Sequence, residues 1–182
     1  MVFYVLAKLP EIQEKVREEI YEVVGDKDDV SYEDLTKLHY LSQVIQETLR
    51  MYPPTARTNR TCTEEIIIGG IQFKPQFTFS VPVYVIHYDE RYYPEPEKFD
   101  PDRFLPDEKS KRDPLTYLPF GYGPRNCIGM RFADLEMRMA VVHLIKRFNF
   151  TPANDAPDLP VKINTSSLTR TEQVLYVNAE KI

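Results

Sequence analysis

The sequence predicts a mainly α-helical fold that carries small β-sheets. Apolar residues recur at helical spacing in several segments, which end near residues 24, 52 and 148. Short β-branched runs flank Gly69 and Gly70 and indicate a hairpin. Fifteen prolines against six glycines indicate many fixed turns between these elements.

Composition limits the functional classes. The 182 residues carry 23 basic and 28 acidic side chains, which are interspersed, so we expect no nucleic-acid partner. Two distant cysteines do not form a secreted disulfide framework. Apolar stretches are too short to span a bilayer, and residues 1–9 lack a signal-peptide cleavage site. We expect these first residues to be the end of a longer helix with little to bury against.

The first half of the chain predicts three helices. Pro10 suits a first helical position, and an apolar stripe follows at helical spacing up to Gly25. The opposite face of this helix is interpreted as a solvated charge pattern that includes Arg17 and Glu19. Ser31 and Asp34 predict a capped short helix through residue 38. A third helix over residues 41–52 is stopped by two prolines.

Strand patterns occupy most of the remaining chain. Residues 65–68 and 71–73 flank the Gly69-Gly70 turn, and residues 77–86 are extended at first, although a proline interrupts them. Residues 161–163 and 174–177 predict two later strands. Cys62 is expected to be a small buried hydrophobe, and His87 a structural loop histidine.

The segment with the clearest chemistry is residues 119–129, which read PFGYGPRNCIG. Its three glycines permit an irregular backbone that a flat ligand could approach. An apolar helical stripe follows, formed by Ala133, Met137, Ala140, Val141, Leu144, Ile145 and Phe148. Cys127 is therefore predicted at a helix N-terminus, where the helix dipole favours a thiolate.

A thiolate in such a loop has several possible roles. With only Cys62 and Cys127, the chain alone cannot build a cysteine-rich zinc site or an all-cysteine cluster. The three histidines show no spacing typical of zinc ligands. A cysteine nucleophile with a histidine base elsewhere in the fold remains open, as does axial ligation of a haem iron.

The loop resembles a known signature. Phe120, Gly123, Arg125, Cys127 and Gly129 match the F-x-x-G-x-R-x-C-x-G pattern of the haem-thiolate monooxygenases, the cytochrome P450 family. The resemblance implies haem b, iron protoporphyrin IX, with Cys127 as its axial ligand. It also implies that Arg125 meets a propionate, that Phe120 packs beside the sulfur, and that the two glycines allow close approach.

Further positions extend the resemblance. Glu47 and Arg50, three residues apart on one helix, would form a buried charge triangle with Arg103 of the FDPDRF segment, in which Asp102 replaces the family's usual glutamate. By the same resemblance Arg60 would bind a propionate. The substrate pocket would include Thr55, Ala56, Thr58 and Leu168.

The resemblance covers only the C-terminal part of the family fold, with residues 1–182 as one partial domain. It comprises the end of the central helix, the following helices, the haem loop and haem-side helix, and a C-terminal β-hairpin. The PRNCIGMRFA run is most similar to the animal drug- and lipid-metabolising clan that includes thromboxane synthase. The resemblance implies a monooxygenase acting on lipophilic molecules such as xenobiotics, steroids or fatty acids, with dioxygen and NADPH-cytochrome P450 reductase as partners.

The same resemblance implies the cytoplasmic face of the endoplasmic reticulum membrane, reached through an anchor in the N-terminal portion that this chain lacks. The isolated chain is expected to bind haem poorly and to be inactive. Three alternatives stay open: a haem-thiolate isomerase of the thromboxane-synthase type, a non-enzymatic truncated product, and a hydrolase with Cys127 as nucleophile.

Overall fold

The computed structural model describes residues 1–165 and 168–182. The helices in these ranges are α1 (Val2–Lys8), α2 (Pro10–Val24), α3 (Tyr32–Lys37), α4 (His39–Met51), α5 (Val83–His87), α6 (Pro106–Ser110) and α7 (Met130–Ile145). The strands are β1 (Thr58–Thr61), β2 (Ile66–Ile68), β3 (Ile71–Phe73), β4 (Thr78–Val81), β5 (Phe148–Pro152), β6 (Ile163–Asn164), β7 (Arg170–Thr171) and β8 (Val177–Lys181). Short 3₁₀ turns lie at Pro101–Phe104, Pro114–Thr116 and Gly123–Arg125.

The strands form antiparallel pairs, β1 with β4, β2 with β3, β5 with β8 and β6 with β7. This confirms the prediction of a mainly α fold with small sheets. The Gly69-Gly70 hairpin is also confirmed, because Ile68 pairs with Ile71 across it. Both glycines have positive φ, +57° and +80°, which the turn requires and other residues rarely adopt.

The hydrophobic core is built from α1, α2, α4, α7 and strand β5. Residues Tyr4–Ala7 of α1 are buried, and the Phe3 and Phe150 rings lie 5.0 Å apart. The expectation that the first residues have little to bury against is therefore wrong. Strand β5 returns to α1 from the far end of the sequence and covers it. Within the described ranges, the helices fall short of the combined length and hydropathy that a bilayer crossing requires.

The sequence predicted a solvated charged face on α2. In the structure, two of these charges bind the ends of other helices. Arg17 is buried and donates hydrogen bonds to the backbone carbonyls of Ile145, the last residue of α7, and of Phe148, the first residue of β5. Glu19 accepts from the backbone N–H groups of Tyr40 and Leu41 at 2.7 and 2.8 Å, at the start of α4. Each charge meets the end of a neighbouring helix whose dipole has the opposite sign.

The C-terminal strands also differ from the prediction. The predicted strand at 161–163 is reduced to β6, which begins at Ile163, and the one predicted at 174–177 begins only at Val177. Val177 pairs with Pro152, the last residue of β5, so residues before 177 have no partner in that sheet. Phe148, predicted on the stripe of α7, is the first residue of β5 instead.

Candidate functional site

The loop that precedes α7, here called the cysteine loop, runs from Phe120 to Cys127 and is held together by its own backbone hydrogen bonds. The N–H of Cys127 donates to the carbonyl of Phe120 at 2.8 Å, which closes the loop at its two ends. Inside it, Asn126 N–H donates to the Gly123 carbonyl at 3.1 Å. Gly121 and Gly123 have φ of +75° and +78°, so this backbone depends on glycine at both positions.

Cys127 lies at the exit of this loop, and its side chain is exposed. The sequence predicted Cys127 at a helix N-terminus. Helix α7 begins at Met130, three residues after the cysteine. The Cys127 carbonyl accepts from the Met130 N–H at 3.3 Å, which couples the cysteine backbone to the first helical turn. A Cβ built on Gly129 would meet only the Cys127 sulfur, at 3.9 Å.

Apolar residues close to Cys127 in the sequence are uncovered. Ile128 is fully exposed, and Phe132, in the first turn of α7, is 70% exposed. Phe120, seven residues before the cysteine, is half-buried. A single soft thiol, a glycine that leaves space beside the sulfur and an uncovered apolar surface fit a flat, apolar macrocycle with a metal centre. The residues present therefore fit a haem.

The two arginines assigned to the haem propionates lie in different elements. Arg125 is exposed in the cysteine loop, and no carboxylate of residues 1–165 or 168–182 lies within ion-pair distance of it. Arg60 is on β1 and donates to Thr58 Oγ1 at 2.9 Å and to the Asn59 carbonyl at 2.8 Å. No hydrogen bond or ion pair in the described ranges joins Arg60 to the cysteine loop.

Glu47, Arg50 and Arg103 come together in the structure. The Arg50 guanidinium makes a two-pronged ion pair with the Glu47 carboxylate, with Nε–Oε2 and Nη2–Oε1 distances of 2.7 and 2.9 Å. Both side chains are completely buried. Arg103 Nε lies 3.5 Å from Glu47 Oε1, an ion-pair distance without hydrogen-bond alignment.

The same pair connects α4 to the segment ahead of the cysteine loop. Arg50 also donates to the backbone carbonyls of His87 and Pro96, each at 2.8 Å. Glu47 accepts from the Asp100 N–H at 3.0 Å. One buried charge pair therefore satisfies backbone groups over residues 87–100, and this explains how a charged pair can be kept in the core.

The four predicted substrate-pocket residues lie in two stretches of the chain, residues 55–58 and residue 168. Thr55 pairs with Leu168 in an isolated β-bridge, and Thr169 N–H donates to the Pro54 carbonyl at 2.9 Å. Ala56 is buried, whereas Leu168 is 59% exposed. Thr58 starts β1 and pairs with Val81. Ser167, part of the predicted turn, lies outside the described residues.

His87 and Cys62 differ from their predicted settings. His87 is completely buried at the end of α5, not in a loop. Burial lowers the pKa of His87 to about 4. Cys62 is only partly buried, and its Sγ donates to the Glu64 carbonyl at 3.1 Å.

Sequence reasoning missed the residues that anchor the segment before the cysteine loop. Tyr93 donates to the Thr116 carbonyl, and Tyr117 donates to the Gln46 carbonyl, each at 3.1 Å. The Leu118 N–H donates to His87 Nε2 at 2.8 Å. These partners are between 23 and 71 residues apart, so no local spacing could have indicated them.

Comparison with known proteins gives one family. The family model described as Cytochrome P450 matches residues 1–178. Cytochrome P450 3A7 of Homo sapiens is 40% identical over 179 residues, which cover 98% of this chain and 35% of that protein. Cytochrome P450 3A16 of Mus musculus is 42% identical over 165 residues, covering 91% of this chain and 32% of that protein.

A shorter relative is covered more fully. Cytochrome P450 3A19 of Capra hircus aegagrus is 40% identical over 172 residues, which cover 94% of this chain and 78% of that sequence. The chain thus spans about a third of the length of the human and mouse relatives. The resemblance stated from the cysteine loop is confirmed.

Proposed function

The chain belongs to the cytochrome P450 family, and on that premise we propose that it is the C-terminal part of one haem-binding domain in a monooxygenase. The observation that carries the proposal is the exposed Cys127 thiol at the exit of a closed, glycine-bearing loop. Haem bound there would supply oxygen activation, which an anionic sulfur ligand promotes by donating electron density to the iron.

The chain's own residues would bind and orient this cofactor. Cys127 would hold the iron, and the backbone bond from Cys127 to Phe120 would keep the sulfur at a fixed place. Gly123 and Gly129 would leave room for the macrocycle. Arg125 and Arg60 would each donate hydrogen bonds to a propionate, because guanidinium groups pair well with carboxylates.

Glu47, Arg50 and Arg103 would support this site indirectly. Their buried ion pairs join α4 to residues 87–103, which lead to the cysteine loop. We assign them no contact with substrate.

We further propose lipophilic small molecules as substrates, in the class of xenobiotics, steroids or fatty acids, with dioxygen as co-substrate. Thr55, Ala56, Thr58 and Leu168 would line part of the pocket; the bridge between Thr55 and Leu168 supports this. Electrons would come from NADPH-cytochrome P450 reductase. The enzyme would work at the cytoplasmic face of the endoplasmic reticulum, held by an anchor in the N-terminal portion.

A chimera tests this proposal. The N-terminal part of the human relative that precedes the matched region would be joined to this chain, expressed, and reduced under carbon monoxide. The expected result is the red-shifted Soret band of thiolate-ligated haem. Cys127→Ala should abolish this band, whereas the matched variant Cys62→Ala should keep it, because Cys62 lies in the connection between β1 and β2.

Two outcomes contradict the proposal. If the Cys127→Ala chimera keeps the thiolate band, Cys127 is not the haem ligand. Rearrangement of a peroxide substrate without NADPH, together with no NADPH-dependent oxidation, would replace the monooxygenase with an isomerase.

A further inference from the structure

The residues immediately before the cysteine loop are fixed by side chains from elsewhere in the chain. As described above, Thr116, Tyr117 and Leu118 are bonded to Tyr93, to the carbonyl of Gln46 and to His87. Of these contacts, only the one to His87 involves the backbone N–H at the point where the loop starts. A change at this contact would therefore be transmitted directly to the loop.

His87 makes one hydrogen bond with each ring nitrogen. Nε2 receives the Leu118 N–H at 2.8 Å, and Nδ1 lies 2.9 Å from the Arg50 carbonyl. Because a backbone N–H can only donate, Nε2 must be the unprotonated nitrogen. Nδ1 then carries the hydrogen and donates to Arg50, so neutral histidine in a single tautomer satisfies both partners.

The loop continues directly from this contact. The Leu118 carbonyl accepts from the Gly121 N–H at 3.0 Å and forms a turn. Phe120 lies inside that turn, and its carbonyl accepts from the Cys127 N–H at 2.8 Å. Hydrogen bonds, linked by short stretches of backbone, therefore connect the end of α4 through His87 to the cysteine.

We propose that His87 is a positioning residue, which fixes the start of the cysteine loop through its bond to Leu118 and thereby sets the place of the Cys127 sulfur. The effect of His87 on haem binding rests on the proposed haem site. The effect of His87 on the order of the loop does not rest on it, since that effect concerns contacts within the chain alone.

The histidine could instead be only a filler of the core. Its ring is stacked on Tyr117, with centroids 5.6 Å apart and a 17° angle between the planes, and an aromatic ring without nitrogens could occupy much of this volume. Substitutions separate the two roles. In His87→Gln the side-chain amide would place an oxygen near the position of Nε2, whereas in His87→Asn the shorter amide would place polar atoms near that of Nδ1. His87→Phe keeps a ring and removes both bonds.

The first test uses the full wild-type chain labelled with ¹⁵N. We expect a scalar coupling across the hydrogen bond between the Leu118 amide nitrogen and His87 Nε2, and a chemical shift typical of the Nδ1–H tautomer. Absence of the coupling in the wild-type chain, whatever the cause, overturns the proposal.

The second test follows hydrogen exchange at the amides of Leu118, Gly121 and Cys127. His87→Phe and His87→Asn should accelerate their exchange by about tenfold or more, as expected for the loss of one buried hydrogen bond. His87→Gln should restore most of the protection. The control is His39→Gln, at the exposed first residue of α4, which should leave exchange unchanged. Equal acceleration in the Gln and Phe variants would reduce His87 to a core filler.

A third measurement connects the loop to the haem. In the chimera, His87→Phe should lower the fraction of haem in the thiolate-ligated form, and His87→Gln should restore it. A chimera that binds no haem, while the exchange pattern holds, contradicts the proposed function and leaves the ordering role intact. Normal thiolate haem in His87→Phe contradicts the inference alone.

Discussion

Gly129 lies between the cysteine and the first residue of α7. Its φ is −87°, which any residue can adopt, and a Cβ there would touch only the Cys127 sulfur at 3.9 Å, an ordinary contact. Neither backbone strain nor crowding by the described residues requires a glycine. Gly129 is the N-cap of α7, a position that tolerates glycine and other small residues, and we propose that the space beside the sulfur also serves the approach of a ligand.

Gly129→Ala is therefore expected to leave the chain's free energy of unfolding within about 1 kcal/mol of wild type, the range of a weakened helix cap. In the chimera it should lower haem affinity by about tenfold or more, since overpacking costs roughly 1–3 kcal/mol. Urea denaturation and haem titration measure the two effects.

The matched comparison for Gly129→Ala is Gly70→Ala, in the hairpin turn at φ +80° with open space around it. That change should destabilise the chain by roughly 1–2 kcal/mol and leave haem affinity unchanged. Unaltered haem affinity in Gly129→Ala would mean that the glycine does not face the cofactor.

His87 predicts a pH dependence of stability. Its pKa falls from an ordinary 6.5 to about 4 in the folded chain because burial disfavours the charged ring. The unfolded chain therefore binds a proton that the folded chain does not, so the free energy of unfolding should fall as pH drops from about 6.5 to 4. The loss should reach ~3 kcal/mol, from 1.36 kcal/mol per pKa unit.

The measurement is the urea midpoint at several pH values for wild type and His87→Gln. Carboxylates such as Asp89, whose pKa is held at about 2 by Arg91, contribute equally to both proteins in this range. The difference between the two curves isolates the histidine. Parallel curves between pH 6.5 and 4 would contradict the burial-driven shift.

At the residue scale, residue patterns alone predicted what is encoded locally, and the one distant contact predicted, of Glu47 with Arg103, came from the family resemblance. Cys127 and its glycines stand at fixed spacing within eleven residues, so their pattern could be recognised without a structure. The two partners of His87, Arg50 and Leu118, are 37 and 31 residues away. Only packing shows that one ring joins them.

Among the elements, α4 has the largest share in holding the segment before the cysteine loop. Glu47 pairs with Arg50 and Arg103 and accepts from the Asp100 backbone. Glu47→Gln would remove the negative charge and leave Arg50 buried without a counter-charge. Breaking a buried ion pair in this way costs about 3–5 kcal/mol.

The urea midpoint of Glu47→Gln should therefore be far below that of wild type. The control is Glu108→Gln, which removes the acidic partner of Lys111 in an exposed ion pair on α6. It should leave the midpoint unchanged, because water solvates both charges. Equal effects of the two substitutions would contradict the structural role of the Glu47 pair.

Elements with strong local periodicity were predicted well, and elements made by distant pairing were not. Helices α2 and α4 follow apolar stripes that end at glycine or proline. Strands β5 and β8 pair across about thirty residues, with Phe150 opposite Ala179, so their ends depend on each other. The charges of α2 looked solvated because the helix ends that they cap are supplied by α4 and α7.

At the scale of the whole molecule, the two ends of the sequence form one packed unit. Buried Gln13 of α2 donates to the carbonyls of Leu6 and Phe150 at 3.2 and 2.9 Å, and accepts from the Phe150 N–H at 2.8 Å. Strand β5 pairs in turn with β8, near the C-terminus. One side chain thus joins the first two helices to the final sheet.

This continuity predicts that the chain unfolds in a single cooperative transition. The chain has twelve tyrosines and no tryptophan, so tyrosine fluorescence and far-ultraviolet circular dichroism provide two probes, which should give one urea midpoint. Gln13→Met should lower both midpoints equally, because each backbone group that loses its partner costs about 1–3 kcal/mol. Gln173→Met, at an exposed position, should change neither. Separate midpoints for the two probes, or the absence of any transition, would mean that the packed unit does not form in this chain and would favour a non-enzymatic truncated product.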